Sequence, residues 1–158
     1  PQPKILEILE QNILLNRLKK RIKVYQVAFL NKRIRLSLHV PLDLSLSDLS
    51  TLGNPLRFSK GKIITVSSDT LDHFAKKNNL IDPTLIKIDT AGTELLVLKG
   101  GKQLIQRAKP TLLIEYEEKN TAQFGYHANE IVKLLSKWGY STTYLESGDI
   151  FCRSKLSE

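Results

Sequence analysis

Two short apolar runs, residues 85–89 and 111–116, constrain the fold more than any other feature of the sequence. Both are rich in branched aliphatic residues, as buried strands are, and residues 93–107 between them follow a helical pattern interrupted at Gly100-Gly101. Neighbouring parallel strands need a crossover of about a dozen residues or more, usually a helix. The pattern therefore predicts adjacent parallel strands in an α/β fold, with a hairpin over residues 140–153 at the sheet edge.

The first half of the chain predicts further elements of the same domain. Apolar spacing predicts a helix over 4–20, and β-forming residues predict a buried strand over 22–29. Strict alternation over 34–40 predicts a half-exposed strand, which we expect to pair antiparallel with 22–29 through the turn at Asn31-Lys32. We expect a long ordered loop with a short helical turn over 42–61, a strand over 62–66 and a helix over 71–78 capped by Thr70.

The end of the chain completes this single domain. A helix is predicted over 128–138, with Gly139 as its stop signal, ahead of the hairpin. The sequence contains no internal repeat and no linker-like segment, so we expect one domain over residues 1–158.

The charge balance raises the question of anionic partners. The chain carries 24 Lys and Arg against 16 Asp and Glu, a net charge of +8. The charge looks scattered, and its densest stretch, 17–23, lies at the end of a predicted helix, where cations complement the helix dipole. No aromatic residues interleave with these cations to stack bases, so a solvated basic surface is favoured and a nucleic-acid partner disfavoured.

Several classes of protein are excluded or disfavoured by what the sequence lacks. Its longest apolar runs fall far short of the ~20 residues needed to cross a bilayer, so we expect a cytoplasmic protein with no membrane partner. A single cysteine and three histidines without ligand spacing predict no disulfide and no metal site. No glycine-rich phosphate loop is present, so the chain carries no nucleotide cradle of its own.

Two acids occupy positions where open α/β sheets bind ligands, beyond the carboxyl ends of the strands, and a third opens the helix between them. Asp89 ends one predicted strand, Glu94 opens the following helix, and Glu115 lies near the end of the next strand. From the pattern alone, structural roles are favoured over catalysis: a helix cap for Asp89 and a first-turn acid complementing the helix dipole for Glu94.

Four segments carry a family resemblance. Residues 85–101 read L-I-K-I-D-T-A-G-T-E-L-L-V-L-K-G-G, residues 12–16 read N-I-L-L-N, residues 70–72 read T-L-D, and residues 110–115 read P-T-L-L-I-E. Together they resemble, in order, the motifs of the FkbM family of S-adenosylmethionine-dependent methyltransferases. Ala91 departs from the Glu or Gln that the family often has before the signature glycine, so a polar contact there is lost.

The resemblance implies a Rossmann-like methyltransferase sheet, mostly parallel with an antiparallel edge hairpin. The family's first two strands, with its glycine-rich cofactor loop and ribose-binding acid, are expected ahead of Pro1, so the chain reads as the C-terminal portion of such a domain. The implied catalytic residues are Asp89, Glu94 and Glu115, and the implied cofactor contacts are Ala28, Phe29 and Asp89.

The implied reaction is O-methyl transfer to a sugar or other small-molecule hydroxyl. We expect weak or no S-adenosylmethionine binding, and no activity, from this chain alone. Two alternatives remain open: a non-catalytic remnant or interaction module of methyltransferase ancestry, and, less favoured, a small basic RNA-associated protein. The sequence leaves the oligomeric state undetermined.

Overall fold

The computed structural model describes residues 1–43, 45, 50–53 and 60–155, and the structural statements below concern these residues. They form two β-sheets and six α-helices. In chain order the elements are α1 (Pro3–Leu15), β1 (Ala28–Phe29), β2 (Arg35–Pro41), β3 (Gly61–Asp69), α2 (Leu71–Lys77), β4 (Leu85–Ile88), α3 (Glu94–Gly100), α4 (Lys102–Ala108), β5 (Thr111–Glu115), α5 (Glu118–Thr121), a 3-10 turn (Ala122–Phe124), α6 (Asn129–Lys137), β6 (Tyr140–Tyr144) and β7 (Asp149–Ser154). Most of the loop predicted over 42–61 lies outside the described residues.

The larger sheet has the strand order β4-β5-β7-β6. β4 and β5 are parallel neighbours, with Ile88 opposite Ile114, and the β6–β7 hairpin adds antiparallel strands beyond β5. Both features confirm the sequence prediction. The main core lies against this sheet, where α3, α4 and α6 contribute fully buried side chains such as Leu98, Ile105 and Leu135.

The smaller sheet has the order β1-β3-β2 and corrects one predicted pairing. The strand expected to pair with 22–29 pairs instead with β3, over seven residue pairs from Arg35↔Ser67 to Pro41↔Gly61. Only Ala28–Phe29 of the predicted first strand is extended in a sheet, parallel to the end of β3. The longer ladder forms because β2 and β3 both alternate, and so share one apolar face that includes Leu38, Val40 and Val66.

The expectation of a mostly parallel sheet is wrong for the described residues. Two strand pairs are parallel and three are antiparallel, and no backbone pairing joins β1 to β4. No described strand lies between these two, so the parallel ladder that would make one continuous sheet is not formed. The sheets instead meet through α3: the Leu30 carbonyl oxygen lies only 2.1 Å from where a Cβ on Gly100 would stand. The missing family strands stay a prediction.

The helices mostly follow their predicted signals. The Thr70 hydroxyl accepts from the N–H of His73 at 3.1 Å and caps α2, and Gly139, with φ of 82°, ends α6 as predicted. The predicted helix over 93–107 divides at Gly101 into α3 and α4. The first helix is shorter than predicted, because α1 ends at Leu15 and Arg17 adopts φ of 58°. None of these helices is long and apolar enough to cross a bilayer.

Candidate active site at the carboxyl ends of β4 and β5

A tight loop over residues 89–93 connects β4 to α3 and forms the floor of the candidate site. Two consecutive residues, Ala91 and Gly92, adopt left-handed backbone angles, with φ of 52° and 108°. A Cβ on Gly92 would stand 2.4 Å from the Asn120 carbonyl oxygen, so only glycine allows this approach. The loop is therefore pressed against the segment that follows β5.

Glu94 holds this loop in shape from within the protein. Its side chain is 1% exposed, and its Oε1 accepts from the Thr90 N–H at 2.9 Å, the Thr90 hydroxyl at 2.8 Å and the Gly92 N–H at 3.1 Å. These contacts support a structural role, though by fixing the loop and not by the simple dipole effect expected from the sequence. A catalytic role for Glu94 stays a prediction.

Glu115, at the end of β5, is tied to the same loop. Its Oε2 accepts from the Ala91 N–H at 3.1 Å, and the Asn120 amide donates to its Oε1 at 3.3 Å. Burial, with the negative charges of Glu94 and Asp89 nearby, raises the pKa of Glu115 to about 7, although the Ala91 N–H acts in the opposite direction. Its carboxyl group is therefore able to exchange a proton near neutral pH.

Asp89 is the most open of the three predicted acids. It follows β4 directly, its side chain is 50% exposed, and one carboxylate oxygen lies 3.0 Å from Lys87 Nζ. This hydrogen bond and ion pair raise the pKa of Lys87. A ligand at this edge would therefore meet Asp89 before it met Glu94 or Glu115.

Two residues of the site were missed in the sequence analysis. The buried Tyr126 hydroxyl donates to the Gly92 carbonyl at 2.7 Å and lies 3.5 Å from Glu94 Oε2, and burial raises the Tyr126 pKa. The Asn120 amide donates to Glu117 at 2.6 Å as well as to Glu115. Both lie between β5 and α6 in a segment without periodicity, and no local sequence pattern marks either residue.

The predicted cofactor residues Ala28 and Phe29 are not brought to this loop. The Phe29 ring packs edge-on against Phe74 at 5.0 Å, and Ala28 packs against the core of the smaller sheet. Leu30, which follows, contacts Gly100 at the end of α3 away from Glu94, about 9 Å along the helix axis. Ala28 and Phe29 are both partly buried by these contacts. Their cofactor role stays a prediction.

The described residues contain no cluster of three or more His, Cys, Asp or Glu suited to a metal ion. What they do contain is an α/β fold with acids gathered where adjacent parallel strands end. That is the place where α/β enzymes with open sheets bind their ligands.

Comparison with known proteins identifies the family to which this α/β chain belongs. Residues 1–142 match the family model described as the Methyltransferase FkbM domain, and the chain belongs to this family. The crystal structure of methyltransferase FkbM from Methylobacillus flagellatus KT resembles the chain over 96% of its length, with a TM-score of 0.55 and 18% sequence identity. The chain spans 34% of that protein. At this identity the likeness shows the fold alone. No curated protein matches the chain.

Proposed function

We propose that the chain takes part in methyl transfer to a hydroxyl group, and that Asp89 and Glu115 form the acceptor side of the site. Membership of a methyltransferase family supports the reaction class. The observation that carries the proposal is that Asp89 and Glu115 lie at the ends of adjacent parallel strands, where burial also raises the pKa of Glu115 to about 7. An acceptor hydroxyl must be aligned and must lose its proton, and a general base acts best when its pKa lies near the working pH.

The roles of the individual residues follow from their exposure. Asp89 orients the acceptor hydroxyl, as the most open acid, and Glu115 takes its proton. Glu94 and Tyr126 hold the loop over 89–93 in place and do not touch the acceptor. Because Asp89, Glu115 and Glu117 all bring negative charge to this edge, a neutral acceptor such as a sugar hydroxyl fits better than a phosphorylated one.

Family membership implies S-adenosylmethionine as the methyl donor, and such a cofactor is held largely by backbone amides of a glycine-rich loop and by an acid on its ribose. The sequence has no such loop, and Ala28 and Phe29 are partly buried against neighbouring side chains. We propose that these 158 residues alone bind the cofactor no more tightly than about 1 mM and transfer no methyl groups. Calorimetric titration of the chain tests this, and a dissociation constant in the low micromolar range would contradict it.

The acceptor role is tested by substitution in the protein as it is encoded, with any residues that flank this chain. Transfer of a labelled methyl group from S-adenosylmethionine is measured across a panel of sugars and other hydroxyl compounds. Because Asp89 orients the acceptor hydroxyl, Asp89→Asn should lower turnover by about 100-fold and leave the thermal midpoint nearly unchanged. The matched control is Asp82→Asn, which removes an exposed carboxylate elsewhere. Unchanged turnover in Asp89→Asn, or an equal loss in the control, would contradict the assignment.

A second candidate of another class is a non-catalytic interaction module. The packing of Phe29 against Phe74 favours it, because this contact occupies part of the strand end where the family resemblance places the cofactor. The two candidates separate in the same assay: methyl transfer that depends on Asp89 excludes the module. A protein that folds but transfers nothing to any acceptor supports it.

A further inference from the structure

The net charge of the chain is concentrated in one stretch of sequence. Residues 11–42 contain eight Lys and Arg and no Asp or Glu, so this stretch alone carries +8. The rest of the chain has 16 cations and 16 acids and is neutral. The sequence analysis described the charge as scattered. The net charge lies instead within residues 11–42.

Five of these cations lie within seven residues that follow α1. They are Arg17, Lys19, Lys20, Arg21 and Lys23, and all are exposed. The expected explanation, a helix dipole complemented by its last turn, does not hold, because α1 ends at Leu15. The segment is instead a compact turn, in which the N–H groups of Arg21 and Ile22 both donate to the Leu18 carbonyl, at 2.8 and 3.0 Å.

These cations lack ion-pair partners in the described part of the chain. Of all eight between residues 11 and 42, only Arg33 forms an ion pair there, at 3.5 Å from Asp69. Glu7 and Glu10 line the same pocket as Lys19, but no ion pair in the described structure holds the cations of the turn, so they are available to an anionic partner.

Large aliphatic side chains lie exposed beside the same turn. Leu14 and Leu15, in the last turn of α1, are 55% and 78% exposed, and Ile22 is 40% exposed. Ile13 is the only buried residue of the helix. Leu14 and Ile22 line one pocket together with Lys19, so exposed aliphatic side chains and a cation share this part of the surface.

We propose that Leu14, Leu15, Ile22 and the five cations over 17–23, together called the basic-apolar surface, bind the face of an anionic lipid bilayer. Aliphatic side chains of such a surface enter the boundary between headgroups and acyl chains, while Lys and Arg contact anionic headgroups. Our expectation of no membrane partner rested on the lack of a spanning segment, and binding at the surface needs none. The proposal does not depend on methyl transfer.

A nucleic acid fits the basic-apolar surface less well. Single-stranded nucleic acids are held by cations together with aromatic rings on which bases stack. Tyr25 is the only aromatic residue between 11 and 28, and its ring already packs edge-on against Phe74 at 4.8 Å. Exposed aliphatic side chains provide no ring for a base to stack on, whereas they can insert into the interface of a bilayer.

The proposal is tested by co-sedimentation of the 158-residue chain with vesicles. Vesicles of phosphatidylcholine containing about one third phosphatidylserine should bind the chain, and pure phosphatidylcholine vesicles should bind it far less. Neutralising three cations, in Arg17→Gln/Lys19→Gln/Lys20→Gln, should weaken binding by about 100-fold, or about fivefold for each charge. Leu14→Ser/Leu15→Ser should weaken binding by about tenfold or more, because both side chains leave the boundary region.

The matched control removes the same charge elsewhere, in Lys102→Gln/Lys133→Gln/Lys137→Gln, where all three side chains are exposed. This variant should keep nearly full binding. Circular dichroism of each variant establishes that it is folded. The proposal would be overturned by equal losses of vesicle binding in the two charge variants, by unchanged binding in the leucine variant, or by no binding of the wild type. Tighter binding to single-stranded RNA at the same salt concentration, with the same pattern of losses, would also overturn it.

Discussion

Replacement of Glu94 tests whether this buried acid holds the loop over 89–93. Glu94→Ala leaves the N–H groups of Thr90 and Gly92 without their acceptor and removes a side chain that is 1% exposed. Each unsatisfied buried donor costs about 1–3 kcal/mol, and the lost packing adds to this. We expect the free energy of unfolding to fall by about 3–5 kcal/mol, a large part of the about 5–15 kcal/mol typical of a domain.

The measurement is urea denaturation followed by the fluorescence of Trp138, the single tryptophan, which is 7% exposed. Glu94→Gln keeps an acceptor oxygen of the same size but loses its charge, so it should cost only about 1–2 kcal/mol. Glu146→Ala, at an exposed position of the β6–β7 turn, is the control and should change stability by less than about 0.5 kcal/mol. A cost below about 1 kcal/mol for Glu94→Ala would refute the reasoning, because the loop would then be held by other contacts.

Three further predictions concern the same region, and each is measured by urea denaturation. Gly92→Ala should lower the free energy of unfolding by about 2–4 kcal/mol, because its Cβ would collide with Asn120 at a φ of 108°. Gly148→Ala is the control: φ is 85° there but the space is open, so it should cost only about 1 kcal/mol. Equal costs would show that Asn120 moves away freely. Tyr126→Phe should cost about 1–2 kcal/mol through loss of the donor to the Gly92 carbonyl, and no cost would mean that the carbonyl is satisfied otherwise. Because folding raises the Glu115 pKa from 4.5 to about 7, the native state binds this proton more tightly than the unfolded state, so its contribution is full below about pH 4.5 and is lost as pH rises through 7. Between about pH 5 and 8 the free energy of unfolding of the wild type should fall by about 1–3 kcal/mol, and that of Glu115→Gln should not. Parallel plots of unfolding free energy against pH for the two proteins would contradict the assignment.

The second half of the fold could be predicted from sequence because its signals are local. The strands β4 and β5, the helix break at Gly101 and the hairpin are each marked by nearby residues. The partner of β2 was not predictable in the same way, since β3 begins 20 residues after β2 ends and the turn at Asn31-Lys32 offered a nearer alternative.

The candidate site could be located but not understood from the sequence. The pattern placed Asp89 and Glu115 at neighbouring strand ends, where the structure has them. It could not show that Glu94 turns inward to bind three donors, because that depends on the path of the loop at Ala91 and Gly92. Tyr126 reaches the loop from a segment more than thirty residues away, a tertiary contact that leaves no local pattern.

The two sheets have unequal numbers of buried apolar residues, and this difference determines which part of the molecule unfolds locally. The main core draws its buried members from residues 88–152, whereas the smaller sheet is held by Leu38, Val40 and Val66. Backbone amides exchange their hydrogens through the cheapest opening that exposes them. The β2–β3 ladder should therefore exchange through local opening, while β5 and β7 exchange only when the whole domain unfolds. Glu115 belongs to the slowly exchanging part, so the acids at the strand ends keep their geometry while the smaller sheet fluctuates.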